Sequence, residues 1–208
     1  MSGLLLKDFY TILRYYKIYM IIVAVALIAT VFVASNYSFA AYCAIMASAI
    51  PIGIIAVEEK ERWNIYSATL PYSAAEIVSA KYVLSLILLG IMAVAASIFE
   101  LILLASGGEY SVNEHVFLIV ELLVEGLIIS GVMFPFVFRF GAEKGRLVYF
   151  LICVVIIVAA ISIGDPGGLI ALPSYNTNIF MVSLAGGSAV IFGVSWLLSI
   201  QLYKTARA

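Results

Sequence analysis

The sequence has few of the residues on which soluble domains and enzyme sites depend. Charged side chains make up only 11% of its 208 residues, whereas soluble domains carry roughly 25%. There is one histidine, His115, and there are two cysteines. The phosphate-binding pattern G-x-x-x-x-G-K-[ST] does not occur. The segment 141–146 contains two glycines and a lysine, but the spacing of its glycines is wrong. We therefore predict no catalytic residue, no metal and no bound cofactor in this chain.

Apolar residues dominate what is there. They account for 65% of the chain, and the mean hydropathy is +1.17. An α-helix needs about 20 apolar residues to cross a bilayer. Six stretches meet this requirement: Ile18–Ala34, Ser38–Val57, Tyr82–Ala105, Val116–Phe138, Leu147–Ile163 and Ile179–Tyr203. The prediction is an all-α integral membrane protein with six transmembrane helices in a single domain, 1–208.

The basic residues predict the orientation of this domain. All 11 lysines and arginines fall in four segments that lie on the same side of a six-crossing chain. They are Lys7, Arg14, Lys17, Lys60, Arg62, Lys81, Arg139, Lys144, Arg146, Lys204 and Arg207. Because positive residues are retained inside the cell, we expect a multi-pass protein of the cell membrane with cytoplasmic N and C termini. The net charge of -1 gives no indication of nucleic-acid binding.

The N-terminal segment, 1–17, has its own helical periodicity. One predicted face carries Leu5, Leu6, Phe9, Ile12, Leu13 and Tyr16. The other carries Lys7, Asp8, Thr11 and Arg14. This pattern is typical of a helix that lies in the membrane interface.

The segment 58–81 is the most polar part of the chain and is predicted to form a cytoplasmic hairpin. Its first half, Glu58–Thr69, has helical spacing of its aromatic residues, and Pro71 ends that helix. Ser73 and Glu76 form a capping-box pattern that begins a second helix leading into the third crossing. Connections of this length are usually functional, so we interpret the hairpin as a docking element, although a solvated loop is the alternative.

These residues resemble a known family. The N-terminal Leu-Leu-Leu-Lys-Asp, the glutamate-rich turn with its tryptophan, Leu70–Ser73, Glu76–Val78 and Ala80–Tyr82 are similar to the permease subunits of ABC-2 type exporters. The resemblance is greatest to the small six-helix permeases of the phenol-soluble modulin exporter group. It implies the type V exporter-like architecture, with an N-terminal interfacial helix and a cytoplasmic coupling helix.

The resemblance also implies partners. The coupling helix would dock on a cytoplasmic ABC ATPase subunit, which would bind ATP and Mg and carry out the hydrolysis. The residues that would mediate this docking are Glu58, Glu59, Lys60, Glu61, Arg62, Trp63, Tyr66 and Leu70. A second permease, either another copy or a related chain, would complete the translocation path in the lipid bilayer. The closest resemblance implies amphipathic or antimicrobial peptides as the cargo, and drugs, lipids or a regulatory role are the alternatives.

Three carboxyl groups fall inside the predicted crossings: Glu100 in the third, and Glu121 and Glu125 in the fourth. Acidic residues at such depth are costly and usually functional. One interpretation is that they line the outer part of the transport path and favour a cationic or amphipathic cargo. The other is that they are protonated and hydrogen-bonded to Ser or Tyr between helices.

Two further sets of residues have structural interpretations. Small residues, among them Gly90, Gly126, Gly186 and Gly187, allow close helix approach, and we expect most of them to serve packing within one subunit. The basic residues around the predicted turn Gly141–Gly145 either anchor lipid headgroups or contact the ATPase.

Two other functional classes have some support. The chain has the size and helix number of the substrate-binding subunit of an energy-coupling-factor importer, but those subunits generally lack a long charged loop. Glu58–Arg62 resembles the glutamate-arginine motif of CAAX-type membrane proteases, which also need histidines on neighbouring helices. His115 is predicted on the opposite side of the membrane from this motif, so an intramembrane protease is disfavoured.

Overall fold

The described part of the chain is built from α-helices. The structure, a computed structural model, describes residues 2–17, 36–105, 112–164 and 177–207. Seven helices lie in these residues: α1 (Ser2–Tyr15), α2 (Asn36–Lys60), α3 (Trp63–Ala68), α4 (Ala74–Ala105), α5 (Val112–Phe140), α6 (Ala142–Gly164) and α7 (Thr177–Arg207). The first predicted crossing, Ile18–Ala34, lies outside the described residues.

The long helices agree with the sequence prediction. Each of the other five predicted crossings falls within one long helix, α2, α4, α5, α6 or α7. Three stretches of the described residues are long and apolar enough to cross a membrane, namely Ala74–Ile98, Val116–Phe140 and Val182–Thr205. An all-helical membrane protein is therefore confirmed, and the count of six crossings stays a prediction.

Helix α5 lies at the centre of the bundle, where it contacts α2, α4, α6 and α7. Its buried stripe includes Leu118, Leu122, Ile129, Met133 and Val137. These residues recur at intervals of four or seven positions and therefore share one helical face. Helix α5 is therefore packed on several sides within the described part of the bundle.

Buried hydroxyl groups connect α4 to α5 and α7. The Tyr82 hydroxyl lies 2.7 Å from the Oγ atoms of both Ser195 and Ser199, and its ring stacks on Trp196 with centroids 5.3 Å apart. The Ser195 hydroxyl also donates to the Gly131 carbonyl of α5. In an apolar environment, these hydrogen bonds satisfy polar groups that lipid could not.

The glycines of the bundle differ in their surroundings. A Cβ atom on Gly126 would overlap the Leu89 side chain, so this glycine permits close packing of α5 on α4. At Gly90, Gly186 and Gly187, a Cβ atom would meet none of the described residues within 4 Å. Gly126 therefore serves packing within the subunit, as predicted, and for the other three glycines this role stays a prediction.

Candidate functional site

Four separate segments of the chain meet at one end of the bundle, which we call the basic end. They are α1, the connection from α2 to α4, the turn between α5 and α6, and the last part of α7. A cleft at this end is lined by residues of the connection, of the turn between α5 and α6 and of α7, including Trp63, Lys81, Gly141 and Tyr203. Leu4 of α1 packs in the same cluster as Ile77 and Tyr203. The basic segments are therefore on the same side, as the charge pattern predicts.

The hairpin at the basic end has a different shape from the one predicted. Helix α2 ends at Lys60, and Arg62 adopts a left-handed conformation with φ 54° and ψ 34°. A separate short helix, α3, follows from Trp63 to Ala68. The prediction of one continuous helix from Glu58 to Thr69 is therefore wrong, because the chain changes direction at Arg62.

The second half of the hairpin agrees with its sequence signal. The Ser73 backbone N–H donates to Glu76 Oε2 over 2.9 Å, and the Glu76 N–H donates to Ser73 Oγ over 3.2 Å. This reciprocal pair is a capping box, which satisfies two of the free donors at the start of a helix. It fixes the start of α4 one residue after Ser73, so the helix runs without a break from the hairpin into the bundle.

Four charged side chains form a compact cluster at the root of the hairpin. Lys81 Nζ lies 2.8 Å and 2.9 Å from the two carboxylate oxygens of Asp8, and 2.7 Å from Glu58 Oε1. Lys7 bonds to Glu58 and lies 3.2 Å from Asp8. Asp8 is 1% exposed and Lys81 3% exposed. We call Lys7, Asp8, Glu58 and Lys81 the ion cluster; its two lysines balance its two carboxylates.

The ion cluster joins α1, α2 and α4, and through Lys7 it reaches α3. The Lys7 ammonium group lies 4.0 Å from the centre of the Trp63 ring, a cation–π contact. Trp63 in turn contacts Tyr66, with ring centroids 5.3 Å apart. A movement of the short helix α3 would therefore act on Lys7 and, through it, on the N-terminal helix.

A second charged contact ties the hairpin root to the other half of the bundle. The carboxylate of Glu59 accepts the backbone N–H of Ala142, the first residue of α6, at 3.0 Å and 2.9 Å from its two oxygens. Between α5 and α6, only Gly141 lies outside a helix, so the predicted turn of five residues, Gly141–Gly145, is shortened to one. The two neighbouring glutamates of the hairpin root thus bind different parts of the protein.

Helix α1 packs on the bundle through residues of both predicted faces. The buried residues are Leu4, Asp8 and Ile12, whereas Leu6 and Phe9 are more than half exposed. The periodicity places Asp8 on the polar face, whereas in the structure Asp8 is buried and pairs with Lys81. The exposed apolar residues Leu6, Phe9, Tyr10 and Leu13 form a continuous stripe, which suits the predicted membrane interface.

The eight predicted docking residues divide into two groups. Glu58, Glu59 and Trp63 are partly buried and bind the bundle. The exposed ones are Lys60, Glu61, Arg62 and Tyr66, and Leu70 is half-buried. The Tyr15 hydroxyl donates to Glu61 over 2.6 Å, and this hydrogen bond raises the pKa of Tyr15. The surface left for a partner is therefore smaller than predicted and centres on Lys60, Arg62 and Tyr66.

The intramembrane carboxyl groups are partly described. Glu121 and Glu125 are half-buried on α5, and Glu100 lies on α4 with its side chain outside the described residues. One oxygen of Glu121 and one of Glu125 are inaccessible to solvent and have no hydrogen-bond partner among the described residues. A buried carboxyl oxygen without a partner is energetically costly, so these two groups are candidates for contact with another molecule.

The glutamates that resemble a protease motif have structural roles instead. Glu58 belongs to the ion cluster, and Glu59 binds the start of α6. Among the described residues, no group of His, Cys, Asp and Glu side chains could hold a metal ion. Both glutamates are accounted for by contacts within the chain.

The sequence predicts Lys7 and Lys81 on the cytoplasmic side, but it does not predict that they form the ion cluster with Asp8. One signal was present for Asp8, because it lies four residues from both Leu4 and Ile12, and all three share a helical face. No local pattern connects Asp8 with Lys81, since 73 positions separate them.

Together, the apolar helices and the polar segments gathered at one end define a multi-pass helical membrane protein. Residues 3–204 match the family model described as ABC-2 family transporter protein, so the chain belongs to this transporter family. It is accordingly a membrane permease subunit of an ABC transporter, a class that generally works with a separate ATPase subunit. No curated protein and no solved structure shows a significant match to the chain.

Proposed function

We propose that this chain is the permease subunit of an ATP-driven exporter, docked through its hairpin on a cytoplasmic ABC ATPase. The observation that carries the proposal is the hairpin, whose root is fixed in the bundle while Lys60, Arg62 and Tyr66 are exposed. A segment built in this way can be displaced by a bound partner and can transmit this displacement to the helices of the bundle. The charge pattern, which favours a cytoplasmic location for this end, supports the same arrangement.

Purification from native membranes tests the proposal. The tagged full-length chain is extracted in mild detergent, and co-purifying proteins are identified by mass spectrometry. We expect an ABC ATPase that cross-links to a photoreactive residue introduced at Tyr66, and ATP hydrolysis by the complex but not by the permease alone. An importer subunit would instead bring down a second, scaffolding membrane protein. Hydrolysis by the permease alone would contradict the two-subunit scheme.

We further propose that two permeases form the transport path and that Glu100, Glu121 and Glu125 line its outer part. One buried oxygen of Glu121 and one of Glu125 have no hydrogen-bond partner in the described part of the chain, which supports this proposal, because a cationic cargo would supply a partner. The cargo class that fits is an amphipathic peptide with positive charge. A neutral peptide would gain less from the three carboxyl groups.

Replacing the three acids by glutamine should weaken transport of a cationic peptide. In inside-out vesicles, we expect uptake of a labelled cationic amphipathic peptide to fall by roughly tenfold, equivalent to about 1.4 kcal/mol. Assembly and ATPase binding should not change. Glu143→Gln is the matched control, because Glu143 is exposed on α6 near the basic end. Equal uptake by the triple variant and the wild type would remove the acids from the path.

A further inference from the structure

The start of α6 lacks a cap of its own. The Gly141 carbonyl accepts the Gly145 N–H over 3.0 Å, so Gly141 occupies the N-cap position of α6. Glycine has no side chain with which to bind the free N–H groups of the first turn. The carboxylate of Glu59, which is 83 positions away in the chain, binds one of them instead. Its negative charge also complements the positive end of the helix dipole.

The backbone at Gly141 is shaped to receive this carboxylate. Gly141 has φ +86°, a backbone conformation that residues other than glycine rarely adopt. A Cβ atom built on Gly141 would lie 3.5 Å from each carboxylate oxygen of Glu59, so the carboxylate packs directly against the bare Cα. The Gly141 N–H donates to Val137 over 2.9 Å, which joins the same turn to the end of α5. Glu59 therefore binds the start of α6 directly and is connected to the end of α5 through Gly141.

Glu58 and Glu59 divide the contacts of the hairpin root between two parts of the bundle. Glu58 binds Lys7 and Lys81, and so holds α1 and the start of α4. Glu59 holds the turn between α5 and α6. Since α5 packs against α2, α4, α6 and α7, this turn connects Glu59 with most of the described helices of the bundle. Without Glu59, the described charged contacts of the hairpin root would reach only α1 and α4.

We infer that Glu59 is a positioning residue, which passes displacement of the hairpin to the α5–α6 turn and through α5 to the transport path. This inference rests on the proposed function, and it assigns to Glu59 a role inside the permease in place of contact with the ATPase. It follows that replacing Glu59 should leave ATPase binding intact and should uncouple hydrolysis from transport.

The position of the hairpin relative to α6 can be measured on the permease alone. Spin labels are placed at Thr69→Cys on the hairpin and Lys144→Cys on α6, both exposed positions, after Cys43 and Cys153 are replaced by serine. Their separation is measured by pulsed electron paramagnetic resonance on the full chain in nanodiscs. The wild type should give one narrow distance distribution, and Glu59→Ala should lose it.

Two variants separate positioning from a general structural effect. Glu59→Gln keeps an oxygen that can accept the Ala142 N–H, so it should retain the narrow distribution. Glu61→Ala removes a neighbouring carboxylate that binds Tyr15 rather than the turn, and it should also retain it. A narrow distribution in Glu59→Ala, or an equally broad one in Glu61→Ala, would overturn the inference.

Coupling of hydrolysis to transport is measured on the complex with the co-purifying ABC ATPase. In Glu59→Ala, peptide transported per ATP hydrolysed should fall by about tenfold, within the usual range of coupling between sites. ATPase binding should equal that of the wild type. If no ABC ATPase co-purifies with the wild type, the proposed function fails, and the label distances still decide the positioning role. Loss of ATPase binding in Glu59→Ala would overturn the inference while leaving the proposed function in place.

Discussion

Asp8→Asn should destabilise the protein by about 3–5 kcal/mol, the usual cost of removing one member of a buried ion pair. Asp8 and Lys81 are 1% and 3% exposed, and both carboxylate oxygens of Asp8 lie within 2.9 Å of the lysine. Neutralising Asp8 leaves the ion cluster with two lysines and one carboxylate, so a buried positive charge has no counterpart. Unfolding by sodium dodecyl sulfate in mixed micelles measures the loss.

The double variant Asp8→Asn with Lys81→Met separates charge imbalance from loss of contact. It leaves Lys7 and Glu58 as a balanced pair, and a buried ion pair replaced by neutral groups is often tolerated. We therefore expect the double variant to recover most of the stability lost in Asp8→Asn. Glu61→Gln is the control, because its hydrogen bond to Tyr15 is exposed and should contribute little. Full stability of Asp8→Asn would show that the cluster is not a stabilising element.

Much of the helical fold could be predicted from the sequence because membrane helices obey a simple length rule. Uninterrupted apolar segments of about 20 residues can satisfy their backbone only as helices in lipid. Five of the six predicted segments accordingly lie within described helices. The capping box at Ser73 and Glu76 was also predictable, because both partners lie within one helical turn.

The arrangement at the basic end could be predicted only in part. The charge of the basic segments predicts that they lie at the same end. The pairing of Asp8 with Lys81 depends on tertiary packing, which the periodicity of the sequence does not reveal. The break at Arg62 also had no signal, since neither glycine nor proline is present there. With this bend the short helix α3 turns back, and Trp63 reaches Lys7. The helical spacing of the aromatic residues predicts a continuous helix through this point, and the structure has a break there.

The exposed part of the hairpin should be required for ATPase binding. The double variant Arg62→Glu with Tyr66→Ala changes two exposed residues of the types that are enriched at interface hot spots. Each hot spot typically contributes about 2 kcal/mol or more, which corresponds to roughly thirtyfold in affinity. We therefore expect the double variant to lose co-purification of the ABC ATPase. Quantitative mass spectrometry of the purified complex measures this loss.

The same variant should fold normally, because substitutions at exposed positions usually change stability by about 0.5 kcal/mol or less. Lys144→Glu is the matched control for charge, since Lys144 is exposed on α6, beside the α5–α6 turn at the same end of the bundle. If docking depends on the hairpin itself, Lys144→Glu retains the ATPase while the hairpin variant loses it. Equal losses in both would indicate a general electrostatic attraction to the basic end. Retention in both would contradict docking through the hairpin, because two of the three residues at the centre of its exposed surface would then not be needed.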